Sequence, residues 1–430
     1  MDAESKTAPA GGYRYYVLAI LIVVYTFNFL DRQILGILKD SIQVELGLTD
    51  TEVGLMGGIA FAALYSTLGI PIAWLADRFS RSWIMTVALT LWSGFTFACG
   101  LAGGFWSLFL LRMGVGVGEA GGVAPAYSLI ADYFPPRQRA RALAAFSFGI
   151  PIGMALGILL GGLIAARIDW RYAFFVVGLA GLLLAPAFKL TVRDPERGGL
   201  DRPAGETRER PAVPTRAPSV PQVFALVSRK PSFWLLALGA ASSSVCGYGV
   251  AFWLPTFFQR SLHLSLTETA LYYSAITLVG GLAGVWLGGA LGDRFGARRG
   301  AYAAAPAIAF LVALPFFFAA LNAPSLTLAF LLFLVPTGLN LAWLGPVITA
   351  VQHLAPAPMR STASALFLLI NNLVGIALGT YFFGWASDLL KPLFGQESIR
   401  YAIYAGGGFY LVAAGLLLLA SRFLRKDWVD

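Results

Sequence analysis

Long apolar runs fill most of this chain, and they constrain its fold more than any other feature of the sequence. Twelve runs are each about long enough to cross ~30 Å of hydrocarbon as a helix that rises about 1.5 Å per residue. Lipid cannot satisfy backbone polar groups, and the runs lack the alternation of barrel strands, so helices are expected. The predicted spans are 15–38, 51–75, 83–103, 105–131, 141–166, 171–190, 231–256, 267–291, 299–320, 325–350, 361–386 and 401–424.

The composition excludes an ordinary water-soluble enzyme. Hydrophobic residues make up 58% of the chain and charged residues 12%, with a mean hydropathy of +0.72. Soluble domains contain roughly 45–50% apolar and about 25% charged residues. The two histidines and the two cysteines are widely separated, and no P-loop is present. We therefore expect no cofactor, no metal site and no ATP hydrolysis.

The distribution of positive charge predicts the topology. If both termini lie on one side of the membrane, that side carries 23 of the 31 Lys and Arg residues and the opposite side carries six. The positive-inside rule then places both termini of a multi-pass protein in the cytoplasm. The short termini and few long loops lead us to expect a bacterial inner membrane. Topology accounts for most of the net charge of +9, so no nucleic-acid partner is needed. The predicted boundaries are a cytoplasmic N-terminus 1–14, a six-helix bundle 15–190, a cytoplasmic linker 191–230, a second six-helix bundle 231–424 and a cytoplasmic tail 425–430. The six prolines of the linker are expected to break any helix there.

The two halves of the chain repeat each other weakly. Leu-x-Asp-Arg-Phe follows the second span at 75–79 and recurs after the eighth span at 291–295. Duplicated six-helix halves are typical of transporters, with the substrate site near the midplane. The paired Asp-Arg loops resemble those of the major facilitator superfamily, which implies an all-α integral membrane protein with twelve transmembrane helices in two pseudo-symmetric bundles. We expect the charged loop residues to act as conformational latches, namely Asp77, Arg78, Arg81, Asp132, Arg139, Asp293, Arg294 and Arg298.

Four charged residues lie deep inside the predicted spans: Asp31, Arg32, Arg112 and Glu119. Each costs roughly 2.5–3.5 kcal/mol in hydrocarbon, so such residues are usually functional. Asp31 and Arg112 lie at similar depth, and Glu119 is two turns from Arg112 on the same helix face. The functional hypothesis is a site for protons and an anionic substrate. The alternative is a structural ion cluster that pins the first and fourth spans together.

The functional hypothesis assigns a role to each charge. Only the carboxylates of Asp31 and Glu119 can carry protons, because arginine stays charged. Protonation of Asp31 would release an arginine that the carboxylate had held. Arg32 and Arg112 would then bind the substrate.

The second half of the chain contains no deeply buried charge in its predicted spans. Its substrate-binding candidates are Tyr248, Asn340 and Asn371. One charged and one mildly polar wall suit an amphipathic anion, whose head group would contact the arginines. A small anion would use the same arginines.

Several motifs resemble the Spinster family of the major facilitator superfamily. They are NFLDR at 28–32, ADRFSR at 76–81, the helix-four block RMGVGVGEA at 112–120, IPIG at 150–153 and WR at 170–171. This resemblance implies proton-linked transport of lysolipids or sphingoid lipids such as sphingosine 1-phosphate. It maps a proton-sensing acid onto Asp31, and a polar network onto Arg32, Arg112 and Glu119.

The sequence therefore predicts a secondary active transporter and not an enzyme. The leading hypothesis is proton-coupled movement of an anionic amphipathic lipid by alternating access. The alternative is a proton-coupled symporter of a small organic anion, because an Asp-Arg pair in the first helix is similar to theirs. Membrane lipids surround the chain, and we expect it to act as a monomer. The glycines at 116, 118 and 121 are interpreted as helix-packing positions and not as a dinucleotide fingerprint.

Overall fold

The computed structural model describes residues 11–76, 78–197, 200, 219–295, 299–341, 343–356 and 359–429, and at residues 11, 140, 288–295 and 361 only the backbone is described. Within these ranges the regular secondary structure is helical, as predicted. The first half comprises α1 (Gly11–Leu46), α2 (Asp50–Gly57), α3 (Ile59–Ala76), α4 (Arg81–Cys99), α5 (Phe105–Glu119), α6 (Val123–Tyr133), α7 (Pro136–Ser147), α8 (Gly149–Arg167) and α9 (Trp170–Thr191). The second half comprises α10 (Val220–Val227), α11 (Pro231–Arg260), α12 (Leu266–Phe295), α13 (Ala301–Leu321), α14 (Leu326–Leu339), α15 (Leu344–Gln352), α16 (Arg360–Phe394) and α17 (Ser398–Asp427).

All twelve predicted spans coincide with these helices, although several spans are divided. Ten helical stretches of the described chain are long and apolar enough to cross a membrane. One of them, Thr362–Asp427, is 66 residues long and contains both α16 and α17. The fourth predicted span is not among the ten, because it is divided into α5 and α6, which have 15 and 11 residues. Neither reaches the roughly 20 residues that one crossing requires.

Close helix packing explains the glycines of the fourth span. A Cβ atom at Gly116 would lie 2.5 Å from the carbonyl oxygen of Phe61, and one at Gly118 would lie 2.5 Å from the backbone nitrogen of Trp92. The absence of side chains therefore lets α5 pack directly against the backbones of α3 and α4. The packing interpretation of these glycines is confirmed. This close fit fixes the position of Glu119 at the end of α5.

The linker contains a helix that the sequence analysis did not predict. The prolines of 191–230 were expected to exclude any helix, yet α10 forms with Pro221 in its first turn. Proline is tolerated there because its missing N–H would have no intrahelical partner. Val223 and Val227 are fully buried in the core of the second half, which stabilises this short helix. The expectation was wrong for 220–227.

Hydrogen bonds between the two halves are concentrated at one end of the bundle, although α8 also packs against α12 nearer the middle, where a Cβ atom at Gly281 would lie 2.6 Å from Pro151. We call the end that carries Gly11 and Val429 the terminal end, and the end that carries the turns 47–49 and 261–265 the distal end. In the described residues, every side-chain hydrogen bond between the halves lies at or towards the distal end. Examples join Thr51 to Asp388 and Thr380 to Gly54. At the terminal end, the side-chain hydrogen bonds that join two described residues lie within one half, as in the bond from Arg197 to the carbonyl oxygen of Ala76.

Candidate functional site

The four predicted intramembrane charges converge between α1 and α5. The Arg32 Nε donates to Glu119 Oε2 at 2.7 Å. The Glu119 side chain is fully buried, whereas the Arg32 side chain is 12% exposed. Arg112 lies close enough to Glu119 to interact electrostatically. Glu119 thus pairs directly with Arg32 of α1 and not with Arg112 of its own helix.

Asp31 is more isolated than the sequence hypothesis expected. Its side chain is 1% exposed, and its Oδ1 has no hydrogen-bond partner among the described residues. Arg112 donates to the main-chain oxygen of Asp31 at 3.3 Å and makes no ion pair with the carboxylate. Thr96 and Arg112 lie beside the carboxyl group. A proton can therefore be added to or removed from Oδ1 without breaking a protein hydrogen bond.

Aromatic rings surround the Arg32 guanidinium. Its Cζ lies 5.0 Å from the ring centroid of Phe29, 4.7 Å from that of Phe61 and 4.6 Å from that of Tyr65. Such cation–π contacts hold a guanidinium in place while leaving its other donors available. Tyr248 of α11 interacts electrostatically with Arg32. Among the three substrate candidates of the second half, Tyr248 is therefore the residue that meets the charged wall.

The other two candidates of the second half brace helices. The Ser244 hydroxyl donates to Asn371 Oδ1 at 2.9 Å, which joins α11 to α16, and the Asn371 side chain is 2% exposed. The Tyr410 hydroxyl donates to Asn340 Oδ1 at 3.0 Å, which joins α17 to the end of α14. In this state both amides have their oxygens occupied by partners within their own half.

The predicted latch of the first half forms around Arg81. Arg81 is 1% exposed, and it bonds Asp132 and also Asp194, a residue that the sequence analysis did not single out. Burial opposes ionisation of Asp194, but the hydrogen bonds and charge of Arg81 outweigh that effect, so the pKa of Asp194 lies below its usual value. These partners all belong to the first half. The Arg81 network therefore joins α4 to α6 and to the segment after α9.

Two further latch candidates, Arg139 and Arg78, donate to main-chain oxygens. Arg139 donates to the carbonyl oxygens of Ala131 and Phe134 at 2.7 and 3.0 Å. Arg78 is stacked on Trp74 and donates to its carbonyl oxygen at 3.2 Å. Asp77 and Arg298 lie outside the described residues, as do the side chains of Asp293 and Arg294.

A second charged cluster at the distal end was missed by the sequence analysis. Arg260 of α11 bonds Asp40 of α1 at 2.7 Å and Asp50 of α2 at 2.8 Å. Asp50 is 1% exposed and also accepts from Gln43 at 2.7 Å. These charges lie near the ends of apolar runs, so the sequence analysis did not treat them as intramembrane residues. We call Asp40, Asp50 and Arg260 the distal cluster.

Comparison with known proteins agrees with this architecture. Residues 21–380 match the family model described as Major Facilitator Superfamily. The chain is 30% identical to human Protein spinster homolog 1 over 97% of this chain and 83% of that protein. It is 31% identical to an MFS-type efflux pump of Mycolicibacterium smegmatis over 96% of this chain and 94% of that protein.

Comparison with solved structures also finds a Spinster homolog. A bacterial homolog of the human lysosomal transporter Spinster, in an inward-facing and unoccupied conformation, matches with a TM-score of 0.85 and 30% identity. The match covers 98% of this chain and 99% of that chain. The fold and the site thus define a multi-pass transporter of the major facilitator superfamily and not an enzyme. Within that superfamily, the chain belongs to the Spinster family.

Proposed function

We propose that this transporter couples proton movement to the transport of an anionic amphipathic lipid, such as a lysolipid or a sphingosine 1-phosphate-like molecule, by alternating access. The observation that carries the proposal is the buried pair of carboxyl groups, Asp31 and Glu119, set beside Arg32 and Arg112. Intramembrane charges are expensive, so those that are kept usually mark a substrate or proton pathway. The Spinster relatives support the transport part of the proposal.

Asp31 and Glu119 play different parts in this mechanism. Glu119 holds Arg32 by a direct ion pair, whereas the Oδ1 of Asp31 is free of hydrogen bonds in the described residues. A proton taken up by Glu119 would remove the ion pair and release Arg32 for a substrate anion. A proton on Asp31 would change the charge beside Arg112. The two acids thus couple protonation to the availability of both arginines.

An amphipathic anion fits the walls of the site. Arg32 offers a cation ringed by aromatic faces and remains partly exposed, so it can contact an anionic head group. Tyr248 lies on the opposite wall, and we propose it as the substrate contact of the second half. Asn340 and Asn371 would support that wall from behind. A lipid tail would lie against the apolar surfaces between the halves.

We further propose that both termini lie in the cytoplasm of the cell that makes this protein. The distal end then faces outward, and the structure corresponds to a state that is closed on the outer side. Hydrogen bonds between the halves at the distal end support this assignment. The inward-facing conformation of the solved bacterial homolog agrees with it.

Flux in proteoliposomes tests the substrate class. Labelled sphingosine 1-phosphate, lysophosphatidylglycerol and a small carboxylate such as lactate are offered to the purified protein, with Arg32→Gln as the comparison. The proposal expects lipid flux in the wild type and at least a tenfold loss in Arg32→Gln. Flux of the carboxylate alone would reject the lipid and favour the small-anion symporter. Equal lipid flux in protein-free liposomes would reject transport of that probe.

A further inference from the structure

Lys39 is a fully buried cation between the two halves, and its hydrogen bonds are incomplete. Its Nζ donates to the carbonyl oxygen of Gly36, on its own helix, at 2.9 Å. The nearest carboxylate oxygen, on Asp40, is 3.9 Å away. An ammonium group has three donors, and a buried charge without good partners destabilises a protein. In this closed state, Lys39 therefore has one hydrogen bond and one long ion pair, and two of its three donors have no hydrogen-bond partner among the described residues.

The acids near Lys39 are engaged by other donors. Asp40 accepts from the Thr256 hydroxyl at 2.7 Å and from Arg260 at 2.7 Å. Asp50 is held by Arg260 and by the Ser387 hydroxyl. If Lys39 served only to balance these carboxylates, its ammonium would be expected to hydrogen-bond one of them. Its Nζ is instead 5.4 Å from the ring centroid of Phe252 and 5.2 Å from that of Trp253.

Lys39 continues the face of α1 that carries Arg32. Seven residues separate the two, which is two helical turns, so Lys39 lies on nearly the same face about 10 Å nearer the distal end. On the facing helix α11, Tyr248 and Phe252 are four residues apart and also share a face. Tyr248 interacts with Arg32, and Phe252 contacts Lys39. Arg32 and Lys39 of α1 thus face Tyr248 and Phe252 of α11, in that order, from the central site towards the distal end.

The Phe252 ring packs against α1 between the levels of the two cations. A Cβ atom at Gly36 of α1 would lie 3.4 Å from the Phe252 ring, and one at Gly57 of α2 would lie 2.6 Å from it. The ring is therefore wedged between two helices of the opposite half. Beyond this wedge, the distal cluster lines a cavity of about 520 Å³ together with His263. Separation of the halves at this end would withdraw Phe252 and Trp253 from α1 and uncover Lys39.

We propose that Lys39 is a second anion-binding group, which receives the negatively charged group of the substrate when the distal end opens. This inference rests on the proposed function and adds a step to it. The anionic group binds at Arg32 while the terminal end is open and moves about 10 Å to Lys39 after the halves have rocked. The ligand chemistry is a phosphate or carboxylate group, because a point-like ammonium binds either without fork geometry.

The first test measures substrate affinity separately at the two membrane faces. Lysophosphatidylglycerol is applied to the distal or the terminal face of oriented proteoliposomes, and the half-saturating concentration is measured for the wild type, Lys39→Met and Lys39→Arg. We expect Lys39→Met to raise the half-saturating concentration about tenfold at the distal face and less than twofold at the terminal face. In Lys39→Arg, the half-saturating concentration at both faces should stay within about threefold of the wild-type value. An unchanged distal value in Lys39→Met, an equal rise at both faces, or a Lys39→Arg variant as defective as Lys39→Met would overturn the proposal.

The second test does not depend on the substrate. Lys39→Cys is treated from the distal face with a membrane-impermeant thiol reagent, alone and combined with Arg260→Met, which removes the cation of the distal cluster. The native Cys99 and Cys246 are both buried. We expect at least tenfold faster labelling in the combined variant, and absence of labelling there would overturn the exposure of Lys39.

Failure of the lipid assignment is distinguishable from failure of this inference. If the wild type moves no lipid probe, the measurement at the two faces is repeated with glycerol 3-phosphate. A distal defect in Lys39→Met would then support the anion-binding role while the lipid substrate is rejected. Absence of any anion flux would overturn both proposals.

Discussion

Removal of Arg260 should open the distal end of the transporter. Arg260 is the cation of the distal cluster, and it donates to Asp40, Asp50 and Gln43 across the boundary between the halves. Arg260→Met retains an unbranched apolar side chain but lacks the guanidinium, so every one of these bonds is lost. The variant leaves two carboxylates facing each other at the place where the halves meet.

The size of the shift from closed to open molecules follows from the burial and charge of the residues that Arg260 contacts. The side chains of Arg260 and Asp40 are each 17% exposed, and that of Asp50 is 1% exposed. Removing one partner of a buried ion pair costs about 3–5 kcal/mol, and partial exposure favours the lower value. Separation of the halves at the distal end would break this pair, so the loss is expected to fall on the closed state. About 3 kcal/mol shifts the equilibrium roughly 100-fold, which would bring a 99:1 ratio of closed to open molecules to about equality.

Spin-label distances measure this shift directly. Val44 and Leu393 are exposed at the distal ends of α1 and α16, with 88% and 77% of their surfaces accessible, so cysteines there carry labels on opposite halves. We expect one short distance in the otherwise native protein and a second, longer population in Arg260→Met. Arg171→Met is the matched control, because Arg171 pairs with Glu45 within the first half and that pair is partly exposed. A single unchanged distance in Arg260→Met, or the same change in the control, would refute the reasoning.

Two further predictions concern stability. Gly118→Ala should cost about 1–3 kcal/mol and lower the melting temperature in detergent by several degrees, because the added methyl group meets the Trp92 backbone. Gly69→Ala is the control, because its Cβ position is open, and its melting temperature should not change. Equal melting temperatures for the two variants would contradict the packing argument. Arg81 depresses the pKa of Asp194, so the stabilisation exists above the ordinary aspartate value of about 3.9 and is lost as the pH falls through the lower folded-state value. The difference in melting temperature between wild type and Asp194→Asn should therefore shrink below about pH 4, and a difference independent of pH would refute the assignment.

The helical fold was predictable because lipid imposes it. A run of about 20 apolar residues without alternation must form a helix in hydrocarbon, because only a helix satisfies its backbone polar groups internally. The duplicated loop motif indicated two halves. The divided spans were not predictable from hydropathy. The turn after α5 contains Gly121 and Gly122, and Gly58 separates α2 from α3. A Cβ atom at Gly121 would lie 2.7 Å from the Ala88 side chain, and one at Gly58 would lie 2.7 Å from the carbonyl oxygen of Ala377, whereas apolar composition does not change at those places.

The central site was only partly predictable. Intramembrane cost alone selected Asp31, Arg32, Arg112 and Glu119, and the structure brings all four together. Their pairing was not predictable, because spacing along one helix does not fix the rotation of a second helix about its own axis. Glu119 pairs with Arg32 of the neighbouring helix, a contact that spacing within α5 could not reveal.

The distal cluster and Lys39 show why buried charges near the ends of spans are not recognised from the sequence. Lys39, Asp40 and Asp50 lie just beyond apolar windows, and by that criterion they are loop residues. Packing between the halves buries them nonetheless, with Lys39 fully enclosed. One signal was available, since Lys39 repeats the helical position of Arg32 after seven residues.

The claim that Asp31 couples protons to transport can be tested in proteoliposomes with an imposed pH gradient. The measurement compares gradient-driven accumulation of the transported probe with equilibrium exchange, in the wild type and in Asp31→Asn. Asparagine keeps the shape of the side chain and cannot take up a proton. The account predicts accumulation in the wild type, and in Asp31→Asn a loss of accumulation with exchange retained. Accumulation in Asp31→Asn equal to that of the wild type would contradict the account and leave Asp31 as a structural charge.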